Sequence, residues 1–397
     1  MNAEHDPLLQ ANFLRQCLAH DKRPLGVFLG AGCPMAIRVM RDGISEPLIP
    51  DIAGMTRCVA TALSVSSFQS QYQMILSHFE KDGRPMPNVE DLLCHIRSLR
   101  QVAGKDSVRG MTLDELDGLD EEVCNVMARA CSPSLPDRAT PYRLLASWVA
   151  ARERVAPVEI FTTNYDLLME EALENDRVAY FDGFVGSHET FFDLRSIEDD
   201  ELPARWARLW KIHGSLNWYE DKGGTVRRGT PPPGRIRRVL YPSHLKYDES
   251  RRMPYMAMID RLRSFLRKDS AVLISIGFSF HDSHLNEFLV QGLQGSPTSI
   301  IFALLFGKLD TYPQATKIAS SRSNINVMAR DAGIIGTRRY VWPMGRDAKS
   351  CDDSVAVEWV RDAAKPGLKD AQFTLGDFSS FASFLGDLTG RDIEANG

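Results

Sequence analysis

The sequence predicts an α/β protein: a Rossmann-like parallel sheet with helices on both faces, interrupted by a helical insertion. Three observations predict it. Short, fully apolar runs alternate with stretches of helical periodicity, the pattern of strands buried on both faces. Four of these runs end directly in glycine or polar clusters, where open α/β sheets bind their ligands. Between the first and second run, Thr56 to Trp148 shows helical spacing and no strand pattern.

The elements follow in order. Leu8–His20 places Leu8, Leu9, Phe13, Leu14 and Leu18 at helical spacing, and Pro24 breaks the helix. Leu25–Leu29 is a strand running into Gly30-Ala31-Gly32. The helical block has polar breaks near Lys81–Asn88 and Gly104–Asp114. Val158–Thr162 is a buried strand ending in Thr163-Asn164-Tyr165-Asp166, followed by a helix over Leu167–Glu174. Further strands are predicted at Val178–Phe181, Leu209–His213, Val239–Tyr241, Ala271–Gly277, Ile300–Phe306 and Asn326–Ala329. Helices are predicted at Met256–Arg267 and His284–Leu293. In the tail, Phe378, Phe381, Phe384 and Leu385 lie at helical spacing within Asp377–Leu388 and predict a terminal helix that packs back. The organisation is thus residues 1–55 as the first part of the sheet domain, 56–150 as the insertion, 151–345 as its remainder and 346–397 as the tail.

Composition bounds the function classes. A chain of 397 residues, 44% hydrophobic and 25% charged, buries a large core and is long enough for two or three domain-sized units. A net charge of −5 excludes a globally basic nucleic-acid binder but not a local basic patch. The longest apolar stretches, Ala271–Phe278 and Ile301–Phe306, fall far short of the roughly 20 residues of a spanning helix. Met1–Lys22 has no signal-peptide pattern, so the expectation is a cytoplasmic protein without membrane contact. The seven cysteines are scattered with no C-x-x-C pair, which predicts reduced thiols and no zinc site.

The strand ends carry the chemistry. Gly30-Ala31-Gly32-Cys33 allows close backbone approach to a phosphate at a helix start, or is simply a tight turn. Thr163, Asn164 and Asp166 offer a ribose or water contact, or cap the following helix. His213, followed by Gly214-Ser215, has an imidazole suited to general-base work near neutral pH. Gly277, Ser279 and Asp282 follow the strand at Ala271, with a ribose-hydroxyl contact open to Ser279 or Asp282. His281 and His284 have no third ligand nearby, and Asp282 or Ser283 reads better as a helix cap, so no metal is expected. Arg227–Arg238, with three consecutive prolines, is either a solvated stiff loop or an anion, nucleic-acid or partner contact. The lack of interleaved aromatics favours the loop.

In order, Gly-Ala-Gly, T-x-N-x-D, H-G-S and G-x-S resemble the sirtuin (SIR2) superfamily over roughly residues 25–330. Asn88–Leu93, Phe161–Asp166 and Ile276–Asp282 resemble more narrowly the bacterial SIR2-like proteins of antiphage defence, and a stand-alone chain of this length resembles the partner of a HerA-type hexameric ATPase. Sirtuin deacylases carry a four-cysteine zinc ribbon after H-G-S. Here no cysteine occurs between Cys131 and Cys351. Their G-I-P-D-F-R motif has its nearest counterpart in Leu48–Ala53, without the Phe and Arg.

The resemblance implies a sirtuin-like NAD-binding fold and an NAD+ glycohydrolase that depletes NAD+ as substrate, rather than a deacylase. It implies catalytic roles for Asn164 on the nicotinamide ribose and water, His213 as general base and Asp166 as support. Backbone amides at Gly30 and Gly32 would hold the diphosphate, with Ala31, Cys33, Thr163, Gly277, Ser279 and Asp282 completing the NAD+ contacts. It further implies a homo-oligomer docked on the ATPase, with nucleic acid reached through that complex. Two other readings stay open: a non-catalytic NAD or ADP-ribose sensor, and a nucleic-acid-acting subunit of a defence complex.

Overall fold

The chain begins its sheet in the middle. In the computed structural model, which describes residues 4–104, 107–151, 154–221, 223–230, 237–239, 253–347, 354–361 and 367–389, the strand Leu25–Leu29 lies between Val158–Thr162 and Val272–Ile276, parallel to both. The full order by residue is 338–341, 332–335, 325–328, 300–304, 272–276, 25–29, 158–162, 207–211 and 180–181. From 325–328 across to 180–181 every neighbouring pair is parallel, and the strands at 332–335 and 338–341 extend one edge antiparallel. The chain therefore builds outward to one side of Leu25–Leu29 and then to the other, which creates a topological switch point beside that strand.

Alternation along the strands divides the core in two. Val27 and Leu29 join one cluster with helices Pro7–Ala19, Pro141–Ala150, Leu168–Asn175 and Phe378–Asp387. Phe28 joins the other with helices Tyr255–Leu266, Ser283–Gln294 and Pro313–Ala319. Both faces are covered, as the apolar strands require. The terminal helix packs on Pro141–Ala150, with Phe378 edge-on to Tyr142 at 5.1 Å between ring centroids.

The insertion comprises helices Ile52–Ser64, Gln69–Lys81, Val89–Val102 and Leu113–Ala130. It begins at Ile52 rather than Thr56, because the Asp51 side chain accepts the Gly54 N–H at 2.7 Å and starts the helix earlier. Capping boxes start two others, Asn88 with Asp91 and Thr112 with Glu115. The insertion shares one continuous core with the sheet.

Several elements had no apolar run to announce them. Arg38–Arg41 and Ile44–Pro47 form a largely exposed hairpin turned by Asp42 and Gly43, both at positive φ. Gly214–Glu220 pairs antiparallel with Val226–Arg228 and with Arg237–Val239. Near the C-terminus, Leu368–Phe373 pairs with Val357–Arg361 and with Arg346–Asp347. The strand predicted at Leu209–His213 runs instead over Ala207–Lys211, so His213 sits in the turn beyond it. Tyr241 and Cys351 lie outside the described residues. Among the described residues no helix is long and apolar enough to cross a membrane.

Candidate functional site

At the switch point the carboxyl ends of the strands open onto a cavity of about 610 Å³. Ala31, Thr163, Asn164 and Asp166 line it from two adjacent strand ends. His213, Gly277, Ser279 and Asp282 line it from two others. The insertion and the segment leading into it contribute Ile49–Ile52, Glu90, Cys94 and Cys131 to the lining. The volume is that of a cleft for a nucleotide-sized ligand.

The glycines hold two loops together. A Cβ on Gly30 would lie 2.3 Å from the Gly277 carbonyl oxygen, and one on Gly32 would lie 2.9 Å from the Gly277 Cα. Gly277 itself has φ +67°, and a Cβ there would meet the Cys33 nitrogen at 2.7 Å. The Gly30 N–H donates to Ile276 O and the Gly32 N–H to Gly277 O, both at 2.9 Å. Both amides foreseen as diphosphate donors are thus engaged within the chain, and Gly30, Gly32 and Cys33 do not line the cavity. Cys33 is fully buried, burial pushes its thiol well up, and its Sγ–H donates to Ile276 O. These residues shape the site by packing, and of this loop Ala31 reaches the cavity.

Asn164 ties two strand ends. Its Nδ2 donates to Gly30 O at 3.0 Å, and its backbone N–H donates to Thr162 Oγ1 at 3.0 Å. Asp166 is buried, and its Oδ1 accepts the Leu168 N–H at 3.1 Å where helix Leu168–Asn175 begins. Burial pushes the Asp166 carboxyl up, against the pull of Lys211. Lys211, only 2% exposed, donates to the Asp166 carbonyl and pairs with Glu170 at 3.0 Å. The buried ammonium thereby holds the Asn164 loop to the strand that leads to His213.

His213 Nε2 lies 3.7 Å from Asp282 Oδ2, and Asp282 Oδ1 caps helix Ser283–Gln294 through the Leu285 N–H at 3.1 Å. His281 Nδ1 is 2.8 Å from Ser279 Oγ, and both line the cavity. The loop between them is bent: Phe280 has φ +60°, a costly conformation for a bulky residue, and Asn286 Nδ2 holds its carbonyl at 2.7 Å. Among the described residues, no group of three His, Cys, Asp or Glu side chains is arranged to hold a metal ion.

Sequence reasoning did not assign Asp51, Glu90 or His281 to the site. In the sequence, Leu48–Ala53 stands out only as a distant motif counterpart, and Asn88–Leu93 only as a resemblance. Folding of the insertion brings Ile49–Ile52 and Glu90 to the cavity wall. The basic segment is partly accounted for. Arg227 pairs with Asp221 at 2.8 Å and Arg228 with buried Asp182 at 2.7 Å, so these two charges are committed within the chain. Residues 231–236 lie outside the described residues.

Residues 158–326 match the family model of the SIR2-like domain. The SIR2-like segment contains Asn164, Asp166, His213, Gly277, Ser279 and Asp282, whereas Gly30-Ala31-Gly32 precedes it. No curated protein matches the chain in sequence. Among solved structures, a Sir2 enzyme overlays with a TM-score of 0.33 at 12% identity, covering 80% of this chain and 90% of its own. A Sir2 homologue variant in complex with ADP-ribose gives a TM-score of 0.30 at 14% identity, covering 75% and 86%. A Sir2 homologue in complex with NAD gives 0.27 at 14% identity, covering 76% and 86%. Overlap this loose transfers no function.

Proposed function

We propose that this chain is an NAD+ glycohydrolase, cleaving NAD+ to nicotinamide and ADP-ribose. The observation that carries the reading is the convergence of Asn164, His213 and Asp282 on one cavity at the switch point, within the segment that matches the SIR2-like domain. Asp51, Glu90 and Asp166 also line the cavity, and acidic residues suit a substrate that carries a cationic pyridinium and passes through an oxocarbenium-like transition state.

In this reading a water oxygen bonds to C1′ of the nicotinamide ribose as the C1′–N bond breaks. Nicotinamide leaves with the bonding pair as a neutral base. The water proton passes to His213, and the Asp282 carboxylate 3.7 Å away stabilises the imidazolium that forms. Asn164 has its side-chain nitrogen committed to Gly30 and offers its side-chain oxygen to the ribose or the water. Ser279, His281 and Thr163 supply the polar contacts to the rest of the dinucleotide, and Ala31 allows close approach beside them. Departure of nicotinamide needs no metal.

The test is nicotinamide release from NAD+ by the purified chain. Release lost in both Asn164→Ala and His213→Ala supports the reading. Release at the parent rate by both variants overturns it. NAD+ bound without turnover would instead identify a sensor. The wider role, NAD+ depletion in antiphage defence by a cytoplasmic homo-oligomer docked on a HerA-type ATPase, is supported by motif resemblance. Co-purification with such an ATPase, and turnover that depends on it, test that role.

A further inference from the structure

The cavity at the switch point is acidic. Asp51, Glu90, Asp166 and Asp282 line it, and among the described residues no lysine or arginine does. Two imidazoles, His213 and His281, are the side chains of this lining that can carry positive charge. His213 faces Asp282 at 3.7 Å and serves as the base in the mechanism above. The amides of Gly30 and Gly32 are engaged within the chain. A diphosphate therefore meets repulsion over much of this wall, and its oxygens need donors from another part of it.

His281 and Ser279 supply them. His281 is exposed and Ser279 half-buried, so a ligand in the cavity reaches both. His281 Nδ1 is 2.8 Å from Ser279 Oγ, and among the described residues neither side chain makes another hydrogen bond. If Nδ1 accepts, the serine hydroxyl donates to it and the ring keeps an N–H at Nε2. If Nδ1 donates, the serine keeps its hydroxyl proton. A protonated ring leaves both donors unspent and adds a positive charge. In every state the pair has a donor to give to an anion. We propose that His281, with Ser279, recognises the diphosphate of the dinucleotide and so selects phosphate-bearing nucleotides over nucleosides. The identity of the ligand rests on the NAD+ reading.

The test is calorimetric titration of the full chain with ADP-ribose at fixed pH and ionic strength, in the parent, His281→Ala and His281→Arg. His281 is exposed, so both variants keep the fold, and thermal unfolding verifies it. Saturable binding by the parent, about tenfold weaker in His281→Ala and restored in His281→Arg, is the expected result. Unchanged affinity in His281→Ala overturns the proposal. So does an equal loss in both variants, or no saturable binding by the parent. Nicotinamide release from NAD+ by the same preparations separates this proposal from the glycohydrolase reading. ADP-ribose binding that follows His281, without release, upholds the diphosphate contact and overturns the glycohydrolase. Release with a KM for NAD+ unchanged in His281→Ala does the reverse.

Discussion

His213 Nε2 stands 3.7 Å from Asp282 Oδ2, although the strands that lead to them are separated in the sheet by two others, Leu25–Leu29 and Val158–Thr162. The bent loop after Val272–Ile276 spans that distance and delivers the carboxylate to the imidazole. If the pair is the catalytic base and its orienter, His213→Ala lowers nicotinamide release by about 10²–10⁴-fold. Asp282→Asn lowers kcat by a smaller factor. It leaves stability nearly unchanged, because Asn caps helix Ser283–Gln294 as well as Asp does. Steady-state kinetics beside thermal unfolding separate the two effects.

Asn164→Ala removes one of two donors to the Gly30 carbonyl, which still accepts the Cys33 N–H at 3.0 Å. The variant folds, with stability lower by about 0.5–1.5 kcal/mol for the lost hydrogen bond, and loses turnover. Urea unfolding and nicotinamide release check both halves.

Gly30→Ala forces a Cβ to within 2.3 Å of backbone on the neighbouring loop, and backbone cannot rotate away. Destabilisation of about 3 kcal/mol or more is expected. Gly43→Ala is the control: φ is positive there, at +79°, but nothing lies within 4 Å, so only a conformational cost and no clash remains. Comparison of the two unfolding midpoints tests the packing role of Gly30.

Lys211→Met leaves Glu170 buried without its cation and is expected to cost about 3–5 kcal/mol. Adding Glu170→Leu removes the orphaned charge and recovers much of that loss. The double-mutant cycle, read by urea unfolding, measures the coupling. A Lys211→Met variant of parent stability would refute the assigned role.

His78 Nδ1 and His95 Nε2 are 3.2 Å apart inside the insertion. Burial, then the Arg109 charge, lowers the His78 imidazole from its usual range. Burial, then His78 and Arg109, lowers His95. With folded-state pKa values below the unfolded value of about 6.5, this contribution is fully present above that pH. It is lost as pH falls through the lowered folded values. Thermal unfolding between neutral pH and pH 5 shows a stability loss that His78→Gln with His95→Gln flattens.

The sheet was legible because its strands are buried on both faces. Leu25–Leu29, Val158–Thr162 and Val272–Ile276 are buried along their whole length and, apart from Glu159, Thr162 and Ser275, carry no polar side chain, so each stands out as a largely apolar run. The hairpin at Arg38–Arg41 and the strands around Leu368–Phe373 carry exposed and half-buried positions, and local composition does not distinguish them from loop. Asn164, His213 and Asp282 could be singled out because each lies at the end of a predicted strand or in the loop that follows it.

The sequence by itself determined the α/β class, the positions of the central strands along the chain, the helical nature of the block after the first strand and the strand-end groups. These are local properties, written in hydrophobic period and in turn chemistry. Only the tertiary structure decided which groups meet. It engaged the amides of Gly30 and Gly32 within the chain, brought Asp51 and Glu90 to the cavity, and set His213 beside Asp282. Those relations depend on loop paths and on which backbone donors the fold consumes internally, and both are settled only when distant segments come into contact.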